Sequence, residues 1–245
     1  MIIYGIHSVL AQVKSKPQNI QRIWIQAHKK EDRLKTISEL ASKHNIQLES
    51  VSKEKLDEIS NGNHQGVICV LQQDQTTTYD MASIMQLSLA NNKLILVLDG
   101  ITDPHNLGAC IRSADAFGVD AVIIPQDRSA QVTPVVHKVS CGASQNMPVT
   151  VVSNLARALT DLKEQGFWIY GLAGEADEDI SSTEFITPTV LVLGAEESGL
   201  RRLTKEHCDF LVKIPMLGTV ESLNVSVATG VSLFEVRRQR ALQGL

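Results

Sequence analysis

The sequence has few cysteines and no long apolar run, and each absence excludes a class of protein. Its 245 residues include only four cysteines, which are widely spaced, with no Cys-x-x-Cys pair and no histidine at ligand spacing. That pattern is typical of reduced thiols and predicts neither a disulfide framework nor a metal site. No apolar run approaches the ~20 residues of a membrane span, and His7 and Gln12 interrupt the apolar start too early for a signal peptide. We therefore expect a cytoplasmic protein with no membrane-spanning segment and no bound metal.

The sequence also lacks the glycine-rich fingerprints of two common nucleotide-binding folds. No Gly-x-Gly-x-x-Gly occurs, so a dinucleotide site of the Rossmann type has no signature. Gly194 and Gly199 have the spacing of a P-loop, but Leu200 and Arg201 follow where Lys and Ser or Thr are required. A metabolic nucleotide enzyme on a doubly wound sheet is therefore disfavoured.

The sequence also has fewer basic than acidic residues. The chain carries 23 Lys and Arg against 27 Asp and Glu, a net charge of −4, which taken whole argues against a nucleic-acid-binding protein. Residues 1–75, however, hold 10 basic and 8 acidic side chains, whereas residues 76–245 hold 13 and 19. An RNA partner should thus meet the N-terminal part and local basic clusters, unless those clusters are ordinary solvated helix faces. The clusters in the C-terminal part are Arg201, Arg202 and Lys205, and Arg237, Arg238 and Arg240.

Apolar periodicity divides the chain into two α/β parts joined by a polar stretch. Residues 72–80 have almost no apolar content, and we place a linker at 73–90, between domains at 1–72 and 91–245. In the first domain we predict strands at 20–26, 46–51 and 66–71 and helices at 31–44 and 53–59. In the second domain we predict strands at 94–98, 119–124, 149–152, 167–172, 190–193 and 210–214 and helices at 107–117, 156–165 and 224–242.

The strands of the second domain are continuous apolar runs separated by helices. Such runs predict a parallel sheet covered on both faces, and so an α/β fold. Polar motifs follow three of the runs. Because open α/β sheets bind ligands beyond the carboxyl ends of their strands, we expect these motifs to form one site.

The first motif is Asn-x-Gly-x-x-x-Arg, which runs from Asn106 to Arg112 and follows the strand at 94–98. Asn106 is expected either to cap the next helix or to face a ligand. Arg112 stands six residues further on among small and apolar side chains, so it is expected to face a partner unless it pairs with Asp103 or Asp115.

The second motif is Gly194-x-Glu196-x-x-Gly199-Leu200, directly after the strand at 190–193. Glycines at the end of a buried strand let backbone amides approach a ligand closely. Glu196 is expected to bond a ligand or a neighbouring amide, or merely to charge the following turn.

The third motif begins at Ile214 and Met216 and continues into Ser222, Leu223 and Asn224 at the start of the last helix. As a plain helix start, Ser222 would be a good cap and Asn224 an unusual addition. As a ligand loop, the same segment offers a hydroxyl, an amide and free helix-start N–H groups.

In this order, the three motifs resemble those of the SpoU branch of the SPOUT RNA methyltransferases, which move a methyl group from S-adenosylmethionine to a ribose 2′-hydroxyl. Residues 5–10 and 62–67, with Gly5-Ile6-His7 and His64-Gln65-Gly66, resemble the opening and closing signatures of an auxiliary RNA-binding domain in that branch. The resemblance covers nearly the whole chain. It is closest to the members that methylate a guanosine in the peptidyl-transferase P-loop of bacterial 23S rRNA.

The resemblance implies a domain like ribosomal protein L30e at 1–72, which binds the RNA substrate, and a SPOUT catalytic domain with a deep trefoil knot at 91–245. It also implies S-adenosylmethionine as methyl donor, 23S rRNA as partner and a homodimer. One departure is Glu197, which stands where the family often has a glycine.

The resemblance also assigns roles to individual residues. The implied cofactor-binding residues are Gly194, Gly199, Ile214, Met216 and Leu223, and the implied catalytic set is Asn106, Arg112, Glu196, Ser222 and Asn224. In the family, Arg112 would lie against the 2′-hydroxyl and has been proposed as the general base, but a guanidinium is in effect always protonated. We therefore expect Arg112 to bind the phosphate beside the ribose and to stabilise alkoxide charge, while that phosphate or a water accepts the proton. Methylation of a tRNA or of another rRNA nucleotide, and a non-catalytic RNA-binding role, remain alternatives.

Overall fold

A computed structural model describes residues 2–29, 31–60, 62–71, 79–87, 93–196 and 198–244. These residues form two compact units. The first unit contains the described residues up to 71 together with 132–146, and the second contains 79–131 and those from 147 onwards.

The helices and strands of the described residues alternate along the chain. Up to residue 87 they are β1 (Ile2–Tyr4), α1 (Ile6–Ser15), β2 (Ile20–Gln26), α2 (Asp32–Lys43), β3 (Gln47–Val51), α3 (Lys53–Ile59), β4 (Val67–Leu71) and α4 (Met81–Leu87). From residue 93 they are β5 (Leu94–Asp99), α5 (Pro104–Ala116), β6 (Ala121–Pro125), α6 (Pro134–Val139), α7 (Ala143–Asn146), β7 (Val149–Val152), α8 (Leu155–Glu164), β8 (Trp168–Leu172), β9 (Glu178–Asp179), β10 (Thr189–Gly194), α9 (Arg202–His207), β11 (Phe210–Lys213) and α10 (Val225–Leu242).

The first unit is built on a mixed sheet of order β1-β4-β2-β3. Strand β4 runs antiparallel to β1 and β2, and β2 pairs with β3 in parallel. Leu34, Ile37 and Ala41 recur at helical spacing on α2 and are buried against this sheet's core with Val9 of α1. The strands and helices predicted between residues 20 and 71 are confirmed, with ends moved by one or two residues.

The two N-terminal signatures bind each other. The side-chain Oε1 of Gln65 accepts a hydrogen bond of 3.1 Å from the backbone N–H of Ile6, and so satisfies a free donor at the start of α1. His64 accepts from the N–H of Gly66 through Nδ1 at 2.9 Å and contacts Asp57 through Nε2 at 2.9 Å. Within the first unit, these signatures therefore have a structural role.

Residues 132–146 lie in the first unit, although we predicted that they belong to the catalytic domain. Ser8 donates a hydrogen bond of 3.4 Å to the carbonyl of His137, and the Lys138 ammonium lies 5.7 Å from the centre of the Tyr4 ring. The structure thus groups this segment, which lies between β6 and β7 in the chain, differently from the predicted division into 1–72 and 91–245.

The second unit is built on a parallel sheet of order β7-β6-β5-β10-β8-β11-β9. β5 is buried along its whole length beside β10, with Leu94 opposite Thr189 and Asp99 opposite Gly194. Apolar side chains of α8 and the central strands form its core. The predicted parallel sheet is confirmed. None of the helices in the described ranges is long and apolar enough to cross a membrane.

The predicted linker at 73–90 is only partly described. Within it, residues 81–87 form α4, and Ile84 is fully buried in the core of the second unit. These residues therefore belong to the second unit and not to a linker. Residues 73–78 and 88–90 lie outside the described residues.

The basic cluster at the end of α10 is largely structural. Arg240 is buried and donates to the carbonyls of Phe185 and Thr187 at 2.9 Å, and burial lowers its pKa to about 10, so it stays charged at neutral pH. Arg237 donates to the carbonyl of Phe117 at 2.6 Å, and Arg238 pairs with a glutamate one turn earlier. Arg237 and Arg240 therefore hold the helix in place through hydrogen bonds to backbone carbonyls.

Candidate active site

Three loops meet at the carboxyl ends of β5, β10 and β11. They lie side by side because these strands are parallel and β8 alone separates β10 from β11. A cleft of about 720 Å³ opens between the loops that follow β10 and β11, a size suited to a small-molecule ligand. All five residues that the resemblance assigns to the cofactor line it: Gly194, Gly199, Ile214, Met216 and Leu223. Glu196 and Ser222 line it too.

The loop after β10 closes on itself through a backbone pair. The N–H of Ala195 donates to Gly199 at 3.1 Å, and the N–H of Gly199 donates back at 2.8 Å. A Cβ atom on Gly194 would lie 2.0 Å from the carbonyl carbon of Gly199, and Gly199 itself has a φ of +61°. We expect both glycines to let a ligand approach the backbone. At Gly194, however, the space that a side chain would fill is occupied by the backbone of its own loop. Glu197, our predicted departure from the family pattern, lies outside the described residues.

The loop after β11 leaves its polar backbone available. Residues 215–223 neither donate nor accept a hydrogen bond with any other described residue. The adjoining wall of the cleft is apolar, with Leu193, Ile214 and Leu223 among its lining residues. Unpaired backbone groups beside apolar side chains fit the ribose hydroxyls, amino-acid part and adenine ring of S-adenosylmethionine. These residues therefore fit the implied cofactor.

Asn224 connects the first and second motifs to the third. It is the N-cap of α10, where its Oδ1 accepts from the N–H of Ser226 at 2.9 Å. Its Nδ2 donates to Oδ1 of Asn106 at 3.0 Å and lies 3.5 Å from Oε2 of Glu196. The cap is therefore Asn224, and not Ser222 as the plain helix interpretation had it.

Asn106 reaches this contact because α5 starts earlier than we predicted. The helix begins at Pro104, and Asp103 is its cap, accepting from the N–H of His105 at 2.9 Å. Asn106 is thus the third residue of the helix. The alternative in which Asn106 caps the helix is therefore wrong. The side chain of Asn106 is free to bond Asn224.

Arg112 is not brought to the other predicted catalytic residues within this chain. It lies on α5 about 120° around the helix from Asn106, because six residues correspond to roughly 600° of rotation. Its side chain is exposed, and it lines neither the cleft described above nor the neighbouring cavity that contains Asn106. Among the described residues it has no ion-pair partner, so the expected alternatives of Asp103 and Asp115 are not formed.

A second cavity of about 530 Å³ borders the first, and Ala195, Glu196 and Val225 line both. Asn106, Arg128 and Arg201 are among its other lining residues. The sequence marks Arg201 only as part of a basic cluster, and no motif points to Arg128. The available signal for Arg128 was its place just after the buried strand β6, at the ligand-binding edge of a parallel sheet.

Two cysteines of the second unit are unsuited to nucleophilic chemistry. Cys110 on α5 is buried, with its Sγ 3.3 Å from the Thr229 hydroxyl, and burial raises its pKa to about 11. Burial likewise raises the pKa of Cys208 to about 12. Both thiols are therefore protonated at neutral pH.

Comparison with known proteins supports the motif analysis. The model of the SpoU rRNA methylase family matches residues 93–234, and a model described as RNA 2′-O ribose methyltransferase substrate binding matches residues 2–77. A 23S rRNA (guanosine-2′-O-)-methyltransferase RlmB from Pseudomonas putida is 47% identical over 98% of this chain and 97% of its own. The protein of that name from Yersinia pestis is 46% identical over 99% and 98%.

A solved structure shares the fold. It is the SpoU methyltransferase AviRb from Streptomyces viridochromogenes in complex with the cofactor AdoMet, with a TM-score of 0.81 at 22% identity over 99% of this chain and 91% of that one. The predicted SPOUT fold and family resemblance are thereby confirmed. By its matched domains and its near-full-length relatives, the chain belongs to the SpoU rRNA methylase family.

Proposed function

We propose that this protein transfers a methyl group from S-adenosylmethionine to the ribose 2′-hydroxyl of a guanosine in the peptidyl-transferase P-loop of 23S rRNA. The observation that carries the proposal is the meeting of Asn106, Glu196 and Asn224 beside the cleft, since one residue from each motif contributes a polar side chain there. Relatives that are 46–47% identical over almost the full chain are named as 23S rRNA (guanosine-2′-O-)-methyltransferases.

The cleft residues hold the cofactor. Backbone groups of Gly194, Ile214 and Leu223 bind its polar parts, Met216 and its apolar neighbours enclose the base, and the Gly199 turn closes one end. When bound, S-adenosylmethionine supplies an electrophilic methyl group on a sulfonium. Apolar walls suit this chemistry, because a site that stabilised the sulfonium charge strongly in the ground state would slow the transfer.

The polar cluster orients the nucleotide. Asn224 is fixed by its cap bond to Ser226 and in turn holds Asn106 at 3.0 Å, so the two amides are positioned before substrate binds. Glu196, which lies 3.5 Å from Asn224, and Ser222, which lines the cleft, complete the contacts to the ribose.

Because Arg112 does not join the other motif residues within one chain, it reaches the site from the second chain of the homodimer. There it binds the phosphate next to the target ribose and stabilises charge as the 2′-hydroxyl loses its proton to that phosphate or to a water. It is exposed and makes no ion pair with a described residue, so its guanidinium is available to RNA. A role as general base is disfavoured, because guanidinium does not give up its proton in proteins.

The remaining features follow the family. The first unit binds the RNA substrate, two chains form a homodimer, the SPOUT domain is knotted, and the protein works in the cytoplasm, where ribosomal RNA is modified. The homodimer is supported by an exposed apolar stripe on α10, formed by Val227, Val231 and Phe234, which are 50%, 40% and 56% exposed. Residues at this spacing share one helix face.

The test is to incubate the purified chain with methyl-labelled S-adenosylmethionine and either 23S rRNA that lacks the modification or unmodified tRNA, and to digest the product to nucleosides. Label in 2′-O-methylguanosine from the rRNA alone is the expected result. Label in tRNA would support the alternative substrate, and no label on any ribose would contradict the methyltransferase assignment.

A further inference from the structure

The second cavity has a basic side, and its two arginines do not line the cofactor cleft. Arg128 and Arg201 line it, together with Gly100 and Thr102 of the loop after β5. Two guanidinium groups at one cavity stand out in a region, residues 76–245, where acidic side chains outnumber basic ones by 19 to 13.

Arg201 is held in place by a buried carboxylate. Asp99, at the end of β5, has a fully buried side chain, and its Oδ2 accepts from the backbone N–H of Arg201 at 3.1 Å. The Nε of Arg201 lies 3.3 Å from Oδ1 of Asp99, and its Nη2 donates to the carbonyl of Asp127 at 3.4 Å. The guanidinium is thus oriented on one side, while Nη1 has no partner among the described residues.

Gly100 lets the two arginine-bearing loops come together. Its φ is +81°, and a Cβ atom there would lie 3.2 Å from Nη2 of Arg201 and 3.8 Å from the carbonyl oxygen of Arg128. The Arg128 side chain is exposed and forms neither a hydrogen bond nor an ion pair with the described part of the chain. One guanidinium is therefore oriented and the other is free.

The three acidic residues that line this cavity each have a partner in the described part of the chain. Oδ1 of Asp103 accepts from the N–H of His105 as the cap of α5, and Oε2 of Glu196 lies 3.5 Å from the amide nitrogen of Asn224. Asp99 is paired with Arg201. The side formed by Arg128 and Arg201 is left to bind an anion.

We propose that Arg128 and Arg201 bind a backbone phosphate of the RNA strand beside the target nucleotide. The proposal rests on the proposed function. The planar fork of arginine matches two phosphate oxygens, and such contacts fix the register of a nucleic acid. The cavity shares Ala195, Glu196 and Val225 with the cofactor cleft, so a phosphate held here places the adjoining ribose at their common wall.

The experiment measures RNA binding by the full-length chain at several KCl concentrations for the wild type, Arg128→Gln and Arg128→Gln with Arg201→Lys. Arg202→Gln is the matched control, because Arg202 is 87% exposed, pairs with Glu206 and is absent from the cavity lining. The ligand is a fragment of 23S rRNA that contains the P-loop. Binding of S-adenosylmethionine is measured by calorimetry on the same proteins.

The expected result is a roughly tenfold or larger loss of RNA affinity for the cavity variants at low salt, with the slope of log affinity against log salt reduced by about 0.7 for the lost phosphate. The cofactor affinity and the control stay at wild-type values. Arg128→Gln tests the site without affecting the fold, because its side chain has no partner among the described residues to lose.

Three outcomes would overturn the proposal. An unchanged salt slope and affinity would show that no phosphate binds there. An equal loss of cofactor affinity would assign the anion to the carboxylate of S-adenosylmethionine. A loss of affinity seen with guanosine at the target but not with 7-deazaguanosine, which lacks the N7 acceptor, and with the salt slope intact, would assign the arginines to the base edge. RNA binding needs no turnover, so failure of the methyltransferase assignment is seen separately, as a wild type that transfers no label.

Discussion

Asn224 has two tasks that different substitutions can separate. Its Oδ1 caps α10, and its Nδ2 bonds Asn106. Aspartate caps a helix about as well as asparagine but lacks the Nδ2 donor, whereas alanine lacks both.

We therefore expect Asn224→Asp to keep the free energy of unfolding close to wild type while methyl transfer falls roughly 10²-fold, since the cluster loses its alignment. Asn224→Ala should lose activity and also about 1 kcal/mol of stability. Urea unfolding and initial rates measure the two effects. Wild-type turnover in Asn224→Asp would show that the hydrogen bond to Asn106 is not needed for methyl transfer.

Gly194 is a second position where the addition of one side-chain atom should affect both stability and cofactor binding. A Cβ atom there would lie 2.0 Å from the Gly199 backbone, whereas a Cβ atom on Gly174, which lines the same cleft, meets nothing within 4 Å. We expect Gly194→Ala to cost about 1–3 kcal/mol of stability and to abolish cofactor binding, because the loop can no longer close.

Gly174→Ala is the control for this change and should stay within about 0.5 kcal/mol of the wild type. Calorimetric titration with S-adenosylmethionine and thermal unfolding provide the comparison. Equal cofactor affinity in the two variants would argue against the closed loop as a binding element.

At the scale of elements, the strands were the most predictable part. β5 and β10 are apolar runs that are almost fully buried, and the sequence marks such runs without help from tertiary contacts. α6 and α7 have only six and four residues, which is too short for a helical period to be recognised.

The starts of helices were harder to predict for a different reason. Two helices each have two candidate N-cap residues of a favoured type: Asp103 and Asn106 for α5, and Ser222 and Asn224 for α10. Local sequence therefore cannot decide at which residue the helix begins. The basic side of the second cavity was not predicted, because it depends on a contact between Asp99 and Arg201, 102 residues apart in sequence. The motif residues of the cleft were found because the family resemblance had already joined the three loops.

Helix α6 carries a titratable group that should make the first unit sensitive to acid. His137 is 3% exposed, its Nδ1 contacts the Ser144 hydroxyl at 2.7 Å, and burial lowers its pKa from 6.5 to about 4. Between about pH 6.5 and pH 4, His137 is therefore protonated in the unfolded chain but neutral in the folded chain. The stability contributed by neutral His137 is present above pH 6.5 and is lost as the pH falls towards 4.

Between pH 7 and pH 5 we expect the free energy of unfolding to fall by about 2 kcal/mol more in the wild type than in His137→Asn, which cannot titrate. Urea unfolding at the two pH values measures this difference. An equal fall in both proteins would mean that other groups cause the acid sensitivity.

At the scale of the whole molecule, the exposed stripe of α10 is the strongest sign of self-association. Phe234 is 56% exposed and packs edge-on against Phe117, with ring centres 6.4 Å apart. We expect the wild type to elute with the mass of two chains in light-scattering chromatography and Phe234→Asp to shift towards one chain, because a buried charge would oppose the interface.

Phe210→Asp serves as the control, since Phe210 is also an exposed aromatic, at 40%, but lies on β11 instead of α10. It should leave the mass unchanged. A wild type that elutes as a single chain at micromolar concentration would contradict the proposed homodimer.

Ribose methylation by this protein is best tested with two 23S rRNA fragments that contain the P-loop and differ by one oxygen atom. One carries guanosine and the other 2′-deoxyguanosine at the position that receives the label. We expect methyl transfer to the first fragment, recovered as 2′-O-methylguanosine, and none to the second. Equal transfer to both fragments, or label on a base, would contradict the assignment of this site to ribose methylation.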